Sequence, residues 1–172
     1  MNIFYLDPDP ETCARYHCDK HVVKMILETA MMLSTVCRIK FGMTDNILYQ
    51  ASYVSHPCTK WAMESYGNFK WLKRLGLALC DEYTYRYGRV HKSRSVIKAC
   101  QMSLDWVDNN PDDPFQSFEI TDRPQCMPEV YKDFDPMFAY RAYYLGAKTY
   151  ILKYTKRHVP DWIACMGLGE HK

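Results

Sequence analysis

His17, Lys20, His21, Lys24 and Glu28 follow one another at intervals of three, one, three and four residues. At about 100° per residue, a continuous helix gathers them into roughly a third of its circumference. Val22, Val23, Met25, Ile26 and Leu27 fill most of the rest. A helix apolar on most sides sits inside a protein, where a carboxylate, two lysines and two imidazoles are costly unless they pair or line a cleft. Either Glu28 is a placed acid/base group in a cationic cleft, or it forms an internal i,i+4 ion pair with Lys24.

Other chemistry has thinner support. Cys13, His17 and His21 recur every four residues, with Cys18 beside them and His56-Pro57-Cys58 farther on, so zinc comes into consideration. The second paired cluster usual for structural zinc is missing, and no metal is expected. The chain shows no local Ser or Cys nucleophile signature, no glycine-rich phosphate loop and no dinucleotide fingerprint, so no cofactor is expected either. What does lie close in sequence to Glu28 is the chain terminus. α-Amines titrate near pH 8, so a useful fraction is neutral and nucleophilic at neutral pH. Asn2 is too bulky for ordinary removal of the initiator methionine, and the free amine is expected to be that of Met1.

The elements that must position these groups are helical. Residues 1 to 6 are short and apolar, and Asp7-Pro8-Asp9-Pro10 breaks the chain, with Asp9 as N-cap and Pro10 at the first helical position. One long helix is expected from there to about Ile39, with Gly42 as its stop. Pro57 opens a second, through Trp61, Phe69, Leu72 and Leu79 to near Gly88; a third spans roughly 93 to 107 and ends at Asn109-Asn110-Pro111-Asp112-Asp113-Pro114. Residues 109 to 135 read as a long ordered loop anchored by Phe115, Phe118, Ile120, Met127 and Tyr131. Asp135-Pro136 starts a last helix to about Lys156, followed by a tail with Trp162. Strand signals are scarce, so the expected fold is all-α: one compact domain of about four helices, with a long ordered loop before the last.

At 172 residues, 48% apolar and 15% aromatic, the chain is long enough to bury a sizeable core. The net charge of +2 conceals clustering: residues 60 to 98 carry nine Lys and Arg against three acids, while acids concentrate in 105 to 135. The basic stretch suits phosphate, although a solvated helix face explains such runs as often. Eight cysteines without a signal-like N-terminus point to reduced thiols in a cytoplasmic protein. No apolar run approaches membrane-span length.

Taken together, the pattern resembles the phage-type pyrimidine-dimer DNA glycosylases, small all-α enzymes with associated AP-lyase activity. In that family a short N-terminal segment leads to a helix bearing His and, seven residues on, Glu; here "KHVVKMILE" holds His21 and Glu28. The family's central helix is resembled by "WLKRLGLALCDEYTYRYG" at 71 to 88, its Pro-Gln loop by Pro124-Gln125 and Glu129-Val130-Tyr131, and its Pro-x-Trp tail by Pro160-Asp161-Trp162. The resemblance implies that the Met1 amine attacks the sugar C1′ while Glu28 assists departure of the base. An imine then links Met1 to the opened deoxyribose, and elimination releases the 3′ phosphate. Neither metal nor cofactor is implied. Asn2, His17, His21 and Lys24 are implied contacts to phosphates or to an extrahelical nucleotide, with Lys70, Lys73, Arg74, Arg86 and Lys148 as further DNA-binding candidates.

The implied partner is damaged duplex DNA, bound by a monomer, with a UV pyrimidine dimer as substrate. Two departures stand out: Leu27 and Met31 occupy places where the family carries arginines, and Ile163-Ala164-Cys165-Met166-Gly167 replaces an aromatic-rich basic tail. The alternatives are a glycosylase for another modified base on the same scaffold, a non-enzymatic nucleic-acid-binding module, and a zinc-stabilised interaction protein.

Overall fold

The structure is a computed structural model and describes residues 1–109, 115 and 117–168. Among them the regular elements are helices only: α1 Pro10–Tyr16, α2 Asp19–Phe41, α3 Pro57–Glu64, α4 Tyr66–Tyr87, α5 Arg94–Ala99, α6 Gln101–Asn109, α7 Pro136–Ala147 and α8 Asp161–Ala164, with 3₁₀ turns at Glu129–Tyr131 and Thr149–Ile151. The all-α class is therefore the observed one, built from more and shorter helices than the sequence suggests. None of these helices is long and apolar enough to cross a membrane.

Local signals set the helix starts. Asp9 accepts from Thr12 N at 2.9 Å with Pro10 in the first turn, Asp135 caps Met137 N at 2.7 Å ahead of Pro136, and His56 caps Cys58 N ahead of Pro57. Helix α2 ends where expected, at Gly42, whose φ of 62° is a left-handed conformation that costs a Cβ-bearing residue more than glycine.

Each of the two longest expected helices is interrupted, and distant residues do the interrupting. Between α1 and α2, His17 and Cys18 are extended. The last carbonyls of α1 are taken by tertiary donors: Arg86 Nη2 reaches Arg15 O at 3.1 Å and the Tyr154 hydroxyl reaches Tyr16 O at 3.1 Å. Asp19 N donates to Lys153 O at 2.8 Å instead of continuing the helix. Between α3 and α4, Ser65 is extended, caps Asn68 N through Oγ at 3.0 Å and donates to Glu119 O at 2.5 Å. The 117–121 segment passes so close that a Cβ on Gly67 would lie 2.6 Å from Phe118 O. The last long helix stops at Ala147 rather than Lys156, passing into the 3₁₀ turn at 149–151.

One hydrophobic cluster holds these elements, with α2 and α4 crossing at its centre. Ile3, Phe4, Tyr5 and Leu6 lie buried in it, so the N-terminal segment is part of the core. A polar network closes the N-terminal end of α2. Asp19 pairs with Arg86 at 2.9 Å and accepts from Thr155, while Glu82 accepts from both Arg86 (2.7 Å) and Arg157 (2.8 Å). The loop before α7 is anchored in part as expected: Phe115 is buried, Met127 packs against the core and Tyr131 against Tyr143, but Phe118 and Ile120 are exposed. Thr121 is held in addition by Asn68 and Trp61, and the Arg123 guanidinium lies 3.8 Å from the Tyr5 ring centre and 4.7 Å from that of Trp71. The breaker run at 110–114 lies outside the described residues.

Candidate functional site

Glu28 sits two and a half turns into α2, on the boundary between core and surface, with its side chain 12% exposed. Burial of Ile3 to Leu6 lays the start of the chain across this helix. The Met1 α-nitrogen comes to 3.8 Å from Glu28 Oε2, and the Asn2 backbone N–H donates to the same oxygen at 2.8 Å. Lys24 reaches the other oxygen, Oε1, at 3.4 Å while remaining 69% exposed. Both readings of Glu28 thus coexist geometrically, since the Lys24 ion pair leaves room for the amine. Met1, Lys24, Leu27, Glu28, Met31 and Tyr53 line a pocket of about 170 Å³. Leu27 and Met31 give that pocket an apolar wall.

Asn2 fixes the terminus. Its Nδ2 donates to Cys126 O at 3.0 Å, and its Oδ1 accepts from Ile3 N at 2.8 Å and from the Tyr140 hydroxyl at 2.7 Å. Tyr140 is fully buried, and burial raises its pKa well above the usual phenol value, so it serves here as a neutral hydrogen-bonding group. Below the amine, the Met1 side chain is packed away, its sulfur accepting from Thr59 Oγ1 at 3.6 Å.

The remaining sequence-derived candidates divide by exposure. With α1 and α2 broken apart, His17 leaves the polar stripe: it is completely buried, its Nδ1 is 2.8 Å from Cys13 O, and burial pushes its pKa down to about 4. His21 is 7% exposed, stacked on Phe4 at 4.1 Å and 2.5 Å from the Tyr144 hydroxyl. Burial, with like charge nearby, takes its pKa to about 3. Both imidazoles are neutral core groups. Lys73 is buried against Gln101, and Arg86 belongs to the Asp19–Glu82 network. Arg74 is tied to Glu11 at 3.0 Å, Lys70 lies over the Tyr66 ring at 5.6 Å, and Lys148 lies over that of Tyr143 at 4.7 Å. The structure therefore brings together Met1, Asn2, Lys24 and Glu28, and leaves the others apart from that pocket. Nor is the helix inside on most sides, because Val23 and Leu27 are 42% and 43% exposed.

Cys13, His17 and His21 do not form a ligand set. The Cys13 sulfur is engaged by backbone, donating to Phe4 O at 3.3 Å and accepting from Leu6 N at 3.4 Å. Tyr53, Thr59, Cys126 and Tyr140 complete the site without having been singled out from sequence. Three of them meet the N-terminus across 58 to 138 residues of chain or through backbone atoms, and no spacing rule encodes that. Tyr53 gives a faint signal only in the structure: its φ of 51° is left-handed, a conformation that side-chain-bearing residues keep when the surroundings over-determine it, often at functional sites.

Compared with known proteins, residues 1–95 match the family described as pyrimidine dimer DNA glycosylase. No curated protein and no solved structure matches the chain.

Proposed function

The chain belongs to the pyrimidine dimer DNA glycosylase family, and from that premise we propose that it excises a damaged pyrimidine from DNA through an imine formed by its own N-terminus and then cleaves the strand as an AP lyase. One observation carries the reading: the Met1 nitrogen stands 3.8 Å from Glu28 Oε2 on the rim of a pocket. An amine attacking the sugar C1′ must be positioned and must give up protons, and a carboxylate within hydrogen-bonding reach after small movement serves both needs.

The neutral Met1 amine adds to C1′ as the bond to the base breaks, and the base leaves with a proton. Transfer of the remaining amine proton to O4′ breaks the C1′–O4′ bond and opens the sugar to the imine. Abstraction of a C2′ proton, with Glu28 as the nearest base, then expels the 3′ phosphate. Water finally hydrolyses the imine and frees the enzyme. Asn2 positions the amine through its bonds to Glu28, Cys126 and Tyr140. Lys24, which lines the pocket and is largely exposed, is the side-chain cation placed there to meet a phosphate. The apolar wall of Leu27 and Met31, with the exposed Tyr53 ring, suits the faces of an extrahelical base.

Borohydride trapping tests the reading. Protein incubated with duplex containing a cyclobutane pyrimidine dimer, or an abasic site, is expected to form a covalent adduct on reduction, and the modified residue should map to Met1. Acetylating the α-amine, or adding residues before it, which displaces the amine by up to about 3.5 Å each, should abolish trapping while circular dichroism stays unchanged. An adduct on a folded, N-terminally blocked protein overturns the mechanism and shifts the nucleophile to another amine, Lys24 first.

A further inference from the structure

Beside Asn2, three soft or borderline donors converge. The ligand atoms of His56, Cys58 and Cys126 lie within 4.8 Å of one another, and these three are the only such group of His, Cys, Asp or Glu side chains among the described residues. The two sulfurs are 3.6 Å apart. Two zinc–thiolate bonds of about 2.3 Å opened to a tetrahedral angle hold their sulfurs at about 3.8 Å, so the pair already stands near the spacing a zinc-type ion imposes. A disulfide, at about 2.05 Å, would need far more closure.

The geometry points to a binding site for a zinc-type divalent cation formed by His56, Cys58 and Cys126, clasping the start of α3 to the 124–126 segment beside the N-terminus. The donor set suits that chemistry: one imidazole and two thiols select borderline-soft metals over magnesium or calcium. On binding, the two thiols become thiolates and their protons go to solvent. His56 now accepts the Cys58 amide through Nδ1 at 3.2 Å, a long bond whose exchange for a metal bond costs little. Cys58 is buried, whereas His56 and Cys126 are half-buried, which leaves the cluster an entry path. Three protein ligands leave a fourth position for water.

What such a clasp would hold is already visible. Asn2 Nδ2 donates to the Cys126 carbonyl at 3.0 Å, and the Cys58 thiol lies 3.8 Å from Asn2 Oδ1. The ion would therefore stiffen the wall that positions the terminus. This inference stands on the cluster alone and does not depend on the excision mechanism.

Cobalt and zinc titrations of the full chain test it. The protein is first reduced and stripped with chelator, then titrated anaerobically. The expected result is one equivalent of cobalt bound with a thiolate-to-cobalt charge-transfer band, displaced by zinc, together with a rise in melting temperature. Cys126→Ser, a near-isosteric change at a half-buried position, should remove the band and the thermal shift. His56→Gln should weaken binding while keeping the band. Cys165→Ser, which alters the exposed thiol outside the cluster, should leave both intact. Absence of stoichiometric binding by wild-type protein, or a band that survives Cys126→Ser, overturns the proposal. Because the readouts are spectroscopic and thermal, they are independent of whether the protein excises any base.

Discussion

At the scale of single residues, Glu28 occupies a position that a structural ion pair alone does not need. A surface i,i+4 pair with Lys24 would be satisfied by a carboxylate in solvent, yet this one is largely withdrawn from it and accepts the Asn2 amide at 2.8 Å. Glu28→Gln keeps the shape and one acceptor oxygen but removes the charge and the base. Excision and trapping should fall by about 10² to 10⁴, with DNA affinity changed by no more than a few-fold. Single-turnover rates on a pyrimidine-dimer duplex measure the first and fluorescence anisotropy the second. Wild-type rates in the Gln variant would return Glu28 to the role of Lys24's partner. The approach of Met1, Asn2 and Glu28 could be anticipated from sequence, since a six-residue apolar segment and a tight Asp-Pro turn confine the terminus to the first long helix. The contacts that fix Asn2 could not, because Cys126 and Tyr140 lie 124 and 138 residues away along the chain.

At the scale of elements, helix starts were legible and helix interruptions were not. Asp9-Pro10 and Asp135-Pro136 announce themselves because a cap and a fixed proline φ are local physics. The break at His17–Cys18 has no such signature. It arises where Arg86, Tyr154 and Lys153 capture backbone groups that a continuous helix would have used, and two of those partners lie more than 130 residues away. That break takes His17 out of the cationic stripe a helical wheel assigns it to, while Phe4 and Tyr144 bury His21 within α2, and the two neutral core imidazoles give the fold an acid sensitivity. The imidazoles have pKa values near 4 and 3 when folded, against about 6.5 when unfolded. Above pH 6.5 both states hold them neutral. As pH falls below that value the unfolded chain takes up protons that the folded one refuses, so stability drops until the folded values are reached. For His17 alone the loss by pH 4 is on the order of 3 kcal/mol. Thermal melts should show a clear fall in melting temperature between pH 7 and about 4.5, and a flat profile would mean that the imidazoles protonate within the native fold.

At the scale of the whole molecule, a net charge of +2 supplies no strong field, so attraction to DNA has to come from where the cations sit. The long basic run at 60 to 98 is the obvious candidate in sequence, but the fold consumes several of its members: Lys73 and Arg86 are buried, and Arg74 is paired with Glu11 and close to Asp9. What remains beside the pocket is on α2, where Lys24 lines the cavity and Lys20, one turn earlier, is exposed. These two residues and the terminus define the face that DNA should meet. Salt dependence separates this face from the basic run. Removing one cation that neutralises a phosphate flattens the slope of log K against log salt by about 0.9 on duplex DNA, so Lys20→Gln and Lys24→Gln should each flatten it by that amount and weaken binding, most clearly at low salt. Arg74→Gln should leave the slope where it was, because its guanidinium is held by both Glu11 oxygens and lies outside the lining of the Met1–Glu28 pocket. The reverse pattern, a slope indifferent to both lysines and flattened by the Arg74 substitution, would place DNA along α4 and away from the Met1–Glu28 pocket, and the excision mechanism would then lack a route to its substrate.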